Sequence, residues 1–208
     1  MSLFRRSDKG TNAEVGSQRS SSGWADILAL LRREENLRVL DFGATSPANI
    51  NYLTTLGHSV YMANIVEDAA KPEWRTLVEP GCAPVFDVEG FVKSSLDFSG
   101  RDFDVVLLWD TADYLPPELT PALFHRLLET LRPDGRLLAF FHGRVTGPES
   151  AFSRYQLTDT KELMLLPAGP FAIQKTYAVR QVEEFLKGCS DVRFFQGKDN
   201  IREVIATR

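Results

Sequence analysis

Apolar positions follow no period over the first 22 residues. The stretch "SDKGTNAEVGSQRSSSG" is polar and rich in Ser and Gly, too poor in apolar side chains to order itself. Residues 1–22 are expected to form a disordered tail, with one folded domain over 23–208. At Trp24 the pattern turns helical, and Trp24, Ile27, Leu28 and Leu31 fall on one face. "LRVLDF" follows as a short β-rich run. "PANINYLTTLG" then reads as a helix, with Ser46 as N-cap, Pro47 at the first helical position and Gly57 past the end. "HSVYMAN" predicts a second strand and "PEWRTLVEPG" a short helix. A third strand is expected within "APVFDV" or "FVKSSL". "FDVVLLWD" and, after a "PDG" turn, "RLLAFFH" predict strands buried on both faces. Between them, "PPELTPALFHRLLETLR" carries Leu119, Leu123, Leu127, Leu128 and Leu131 at helical spacing. "TYAVRQVEEFLKG" predicts a final helix, and "VRFFQGKD" and "REVIATR" an antiparallel strand pair.

Strands alternating with helices specify an α/β fold: a three-layer sandwich around a mainly parallel, seven-stranded, Rossmann-like sheet whose last strand is antiparallel. Ligands of such sheets sit beyond the C-terminal ends of the strands. That rule directs attention to Asp41–Ser46, Asn64–Asp68, Trp109–Tyr114 and His142–Thr146.

Composition narrows the function classes. The formal net charge of -4 and the lack of a Lys/Arg run give no footprint for nucleic acid. No apolar run reaches the length of a membrane span, and the N-terminus lacks the apolar core of a signal peptide. Cys82 and Cys189 stand alone, matching neither a disulfide framework nor a metal spacing. A cytoplasmic location without a metal is expected.

The order of these segments resembles the class I S-adenosylmethionine-dependent methyltransferases. That family opens with a strand and an Asp-x-Gly-x-Gly-x-Gly turn, of which Asp41 and Gly43 remain. "GHSVYMAN", "RDFDVVLLWDTADYL" and "LLETLRPDGRLLAF" match the family's second, fourth and fifth strand segments in order and spacing. The resemblance makes 23–208 a methyltransferase-like domain. It implies S-adenosyl-L-methionine as cofactor and methyl transfer to a small-molecule acceptor. Asp41, Gly43, Ala44, Thr45, Asn64, Trp109 and Asp110 are the cofactor-side candidates, with Asp87 (rivalled by Asp97) at the adenine edge.

Two departures favour an alternative, a non-catalytic binding or regulatory protein on a degenerate methyltransferase scaffold. Thr45 and Pro47 replace the second and third glycines, adding a branched Cβ and removing a donor. Asn64 stands where the family presents an acid to the ribose, and Asn64→Asp should tighten binding unless Glu67 or Asp68 already serves. A nicotinamide dinucleotide enzyme is a weaker third reading, because "DFGATSPA" is not Gly-x-Gly-x-x-Gly.

His142, ending the fifth strand, is a candidate general base. The connection over residues 143–172 is long enough to be a lid, with "RYQLTD" and "ELMLLP" pairing as a hairpin. Arg154 and Tyr155 within it are substrate-side candidates, and Tyr155 joins His142 as a candidate catalytic side chain. A surface excursion or a homodimer contact is the alternative role for this connection.

Overall fold

The computed structural model describes residues 16–77, 81–147, 150–197 and 199–208. The chain runs β1 (Ser17–Ser20), α1 (Ser22–Arg33), β2 (Arg38–Asp41), α2 (Pro47–Thr55), β3 (Ser59–Met62) and α3 (Ile65–Ala69). A single 3-10 turn (Pro72–Trp74) leads into β4 (Arg75–Thr76), β5 (Val85–Phe86) and α4 (Val88–Ser95). Next come β6 (Phe103–Trp109), α5 (Thr111–Tyr114), α6 (Thr120–Thr130) and β7 (Leu131–His142). The chain closes with β8 (Ser153–Gln156), β9 (Glu162–Pro167), α7 (Val179–Phe185), β10 (Asp191–Gln196) and β11 (Ile201–Thr207).

The central sheet has the order β10-β11-β7-β6-β2-β3. β3, β2, β6 and β7 are parallel, while β11 is antiparallel to both β7 and β10. Both faces are apolar because the strands alternate between two cores. Val105, Leu107 and Trp109 face α1 and the hairpin; Val106 and Leu108 face α3, α4 and α6. This is the expected three-layer sandwich, with six strands among the described residues in place of seven.

The missing strand has a local cause. Pro84 has no amide hydrogen to extend a ladder, and Asp87 caps α4 by accepting from the Gly90 amide at 2.9 Å. Only Val85 and Phe86 remain extended, and they pair with β4 apart from the main sheet. "FVKSSL" lies within α4 and its end rather than in a strand. "PEWRTLVEPG" gives the 3-10 turn and β4 instead of a helix, and its residues 78–80 lie outside the described ones.

Part of the expected disordered tail is structured. Residues 1–15 lie outside the described ones, but 16–22 are built into the fold. β1 pairs with β9, which pairs with β8, so the expected hairpin becomes a three-stranded sheet. Arg19, 5% exposed, holds β1 down. It bonds Glu203 at 2.6 Å, pairs with Asp199 and lies 4.7 Å over the Phe140 ring. Ser21 caps α1 through the Trp24 amide and donates to Glu203. The helix starting at Pro47 is as expected, with Ser46 accepting from the Asn49 amide and Gly57 at φ 89 beyond it.

Candidate functional site

β2 delivers Asp41 to the strand-end region fully buried. Its Oδ1 accepts from the Gly43 amide at 3.0 Å and the Trp109 indole N–H at 2.7 Å; its Oδ2 accepts from Asn49 Nδ2 at 3.2 Å. Burial pushes the Asp41 carboxyl above its ordinary range, and these three donors pull against that shift. A Cβ on Gly43 would stand 3.3 Å from Trp109 Cδ1. The surviving glycine thus makes room for this chain's own indole.

Trp109 ends β6 at φ 53, beside a register irregularity against β7. A bulky residue in that region carries about 1–3 kcal/mol of strain, which its surroundings must over-determine. The surroundings do so. The indole stacks on Tyr155 at 4.9 Å and 8°, and packs edge-on against Phe140. Asn49 ties the same hairpin to α2: Nδ2 donates to Tyr155 O at 2.9 Å, and Oδ1 accepts from the Leu157 amide at 2.9 Å. Sequence reasoning missed Asn49. Its only signal was a polar residue at the third helical position, facing inward.

The Tyr155 hydroxyl donates to Asp110 Oδ2 at 2.8 Å. The same oxygen lies 3.8 Å from His142 Nε2, while His142 Nδ1 and its main-chain N–H reach Asp113 Oδ2 at 2.9 and 2.7 Å. Desolvation raises Asp110 to about 6, against the opposing pull of His142 and Tyr155. Asp113 is raised by the same cause, and burial lifts the Tyr155 phenol well above its usual value. His142 and Tyr155, the two catalytic candidates, are thus brought together, but inside the protein at 0% and 2% exposure.

The open surface lies one residue further out on each side. Ala44 and Thr45, with Asn64 and Glu67, form one wall of a cleft of about 720 Å³; Arg154 and the run Pro167–Pro170 form the other. Their chain neighbours Gly43 and Tyr155 belong to the buried cluster. Asn64 caps α3 by accepting from the Glu67 amide, and its Nδ2 donates to Glu67 Oε2 at 2.9 Å. Asn64 and Glu67 therefore act as one unit on the cleft wall. Arg154 donates to Thr45 O at 3.3 Å across the cleft. Asp87 and Asp97 are exposed and engaged in local turns, at the Gly90 and Ser99 amides, and neither borders this cleft. A second cavity, of about 570 Å³ between α6 and α7, contains none of the expected site residues.

A family model described as a methyltransferase domain matches residues 16–144. The chain belongs to the methyltransferase-domain family. The match begins at the residue before β1, in keeping with the structured start of the fold, and it supports S-adenosyl-L-methionine as the cofactor. No curated protein matches the sequence closely enough to count. Among solved structures, the chain is 17% identical to a 1,6-didemethyltoxoflavin N1-methyltransferase from Burkholderia thailandensis solved with S-adenosylhomocysteine. That likeness covers 90% of this chain and 77% of the other, with a TM-score of 0.44. A SAM-dependent methyltransferase from Methanosarcina mazei is 16% identical over 87% and 96% of the two chains, with a TM-score of 0.49. The magnesium protoporphyrin IX methyltransferase of Synechocystis PCC 6803, solved with SAM, is 16% identical over 89% and 77%, with a TM-score of 0.46. At these identities and scores none of the three bears on this chain's ligand or acceptor. Among the described residues no helix is long and apolar enough to cross a membrane, and no group of three or more His, Cys, Asp or Glu is placed to hold a metal ion.

Proposed function

We propose that this protein binds S-adenosyl-L-methionine in the open cleft and transfers its methyl group to a small-molecule acceptor. The observation that carries the reading is the cleft's position. It lies beyond the C-terminal ends of β2 and β3, between the turn before α2 and the Asn64–Glu67 pair. That is where an open α/β sheet takes its ligand. The donor set fits the nucleoside half. Glu67 supplies carboxylate acceptors for ribose hydroxyls, with Asn64 fixing it from beside, and Ala44 and Thr45 supply a main-chain wall.

The fit does not extend inward. Asp41 has its oxygens engaged, and Trp109, stacked on Tyr155, occupies the space over Gly43. These residues, with Asp110 and His142, shape the backing of the cleft and hold the hairpin. They do not touch the ligand in this reading. When bound, the cofactor supplies a methyl group activated on a sulfonium. The protein's share is alignment of the acceptor and exclusion of water, so no dedicated base is required.

The indole over Gly43 favours a second reading, the non-catalytic binding or regulatory protein on the same scaffold. Calorimetry with S-adenosylhomocysteine, followed by release of labelled methyl groups to a panel of small acceptors, separates the two. Binding with turnover supports the enzyme. Binding with no turnover on any acceptor favours the regulatory protein, and no binding at millimolar ligand removes the cofactor from both.

A further inference from the structure

The cleft is electrically asymmetric in a way that the nucleoside half of the ligand does not use. Glu67 is on one wall and Arg154 on the other. Arg154 is half-buried at the base of β8, where one N–H donates to Thr45 O at 3.3 Å. Like Arg38, Arg75 and Arg101, it has no carboxylate in ion-pair reach among the described residues, but of these Arg154 is the one that borders the cleft. A guanidinium offers five donors in a fixed fork suited to a carboxylate, and this one gives a single donor to Thr45 O on the opposite wall.

The main-chain donors that a glycine turn would give to an amino-acid carboxylate are depleted here. Pro47 has no amide hydrogen, the Gly43 amide is spent on Asp41, and the Asn49 amide is spent on Ser46. Resting on the cofactor reading above, we propose that Arg154 takes the carboxylate of the cofactor's amino-acid end, in place of the missing turn amides. The ligand then has one polarity in the cleft. Its ribose hydroxyls lie toward Asn64 and Glu67, whose charge repels a carboxylate, and its carboxylate lies toward Arg154. The hairpin becomes a source of cofactor specificity, because the residue that reads the amino-acid end sits next to Tyr155, whose stacking on Trp109 fixes the strand.

The test is calorimetry of the full-length protein with two ligands. S-adenosylhomocysteine carries the amino-acid end; 5′-methylthioadenosine keeps the nucleoside and thioether but lacks it. Wild type should bind the first about tenfold to a hundredfold more tightly, the range of a charge-assisted pair. Arg154→Gln should bring S-adenosylhomocysteine close to the 5′-methylthioadenosine level and leave the latter unchanged. Arg154→Lys should restore part of the gap, and the melting temperature of each variant reports whether it folds. A gap that survives in Arg154→Gln, or an equal weakening of both ligands, overturns the assignment. Failure of wild type to bind either ligand overturns the cofactor reading itself, and this proposal with it.

Discussion

Trp109 concentrates the argument at the residue scale. One indole engages Asp41, closes over Gly43 and stacks on the hairpin. Trp109→Phe keeps most of that bulk and removes the N–H, leaving a buried carboxylate oxygen with one donor fewer. The expected cost is about 1–3 kcal/mol, read from urea denaturation. Asp110 gives a pH dependence. Its folded-state carboxyl is raised to about 6 by desolvation, from an ordinary value of 3.8. The folded protein therefore holds that proton more tightly than the unfolded chain does. The resulting stability is full below the unfolded value and is lost as pH rises through about 6. His142, Asp113 and Tyr155 face the same carboxylate, and Asp41 and Asp113 shift in the same direction. The share of Asp110 is isolated by comparison with Asp110→Asn. Between pH 4 and 7 the wild type should lose roughly 2 kcal/mol more than the variant, at 1.36 kcal/mol per pKa unit; parallel stability profiles would contradict this. With Glu67 serving the ribose, as proposed, Asn64→Asp falls in the case where no tightening is expected. An aspartate there would face Glu67 Oε2 at the distance where Asn64 now donates, so the variant should bind more weakly.

Among the elements, β1 adds a third strand to the hairpin. Its Arg19 is buried against Glu203 and Asp199. Arg19→Ala leaves Glu203 buried without its cation, at an expected cost of about 3–5 kcal/mol; an unchanged melting temperature would show that β1 is not holding the hairpin. The sequence hid this strand for a physical reason. "SQRS" has no apolar alternation, and its stabilising partner lies 184 positions away. The strand-turn-helix over residues 38–55 was legible because its signals are local: apolar β2, the Ser46 cap and Pro47 at the first helical position. The hairpin of β8 and β9 was legible from two runs flanking polar residues, but its docking was not. That docking depends on Asn49, which bonds residues 106 and 108 positions away, and on the stacking of Tyr155 on Trp109. Asn49→Ala should therefore speed hydrogen exchange at the Leu157 amide while leaving exchange in β6 and β7 unchanged.

For the whole molecule, the sheet order and the family match make a methyltransferase-type scaffold, and the positions of His142 and Tyr155 separate its expected site from its open one. Motif position brought Asp41, Trp109, Asp110, His142 and Tyr155 to the right end of the sheet. It did not show that these side chains satisfy one another, leaving the cleft to Thr45, Asn64, Glu67 and Arg154. The central claim is that this cleft still takes the family's cofactor. Titration calorimetry of the full-length protein with S-adenosylhomocysteine, run beside Glu67→Gln, tests it most directly. The account predicts saturable one-to-one binding with a dissociation constant below about 1 mM, equivalent to roughly 4 kcal/mol, and clear weakening in the variant. The absence of binding at millimolar ligand, or binding indifferent to Glu67→Gln, would contradict it.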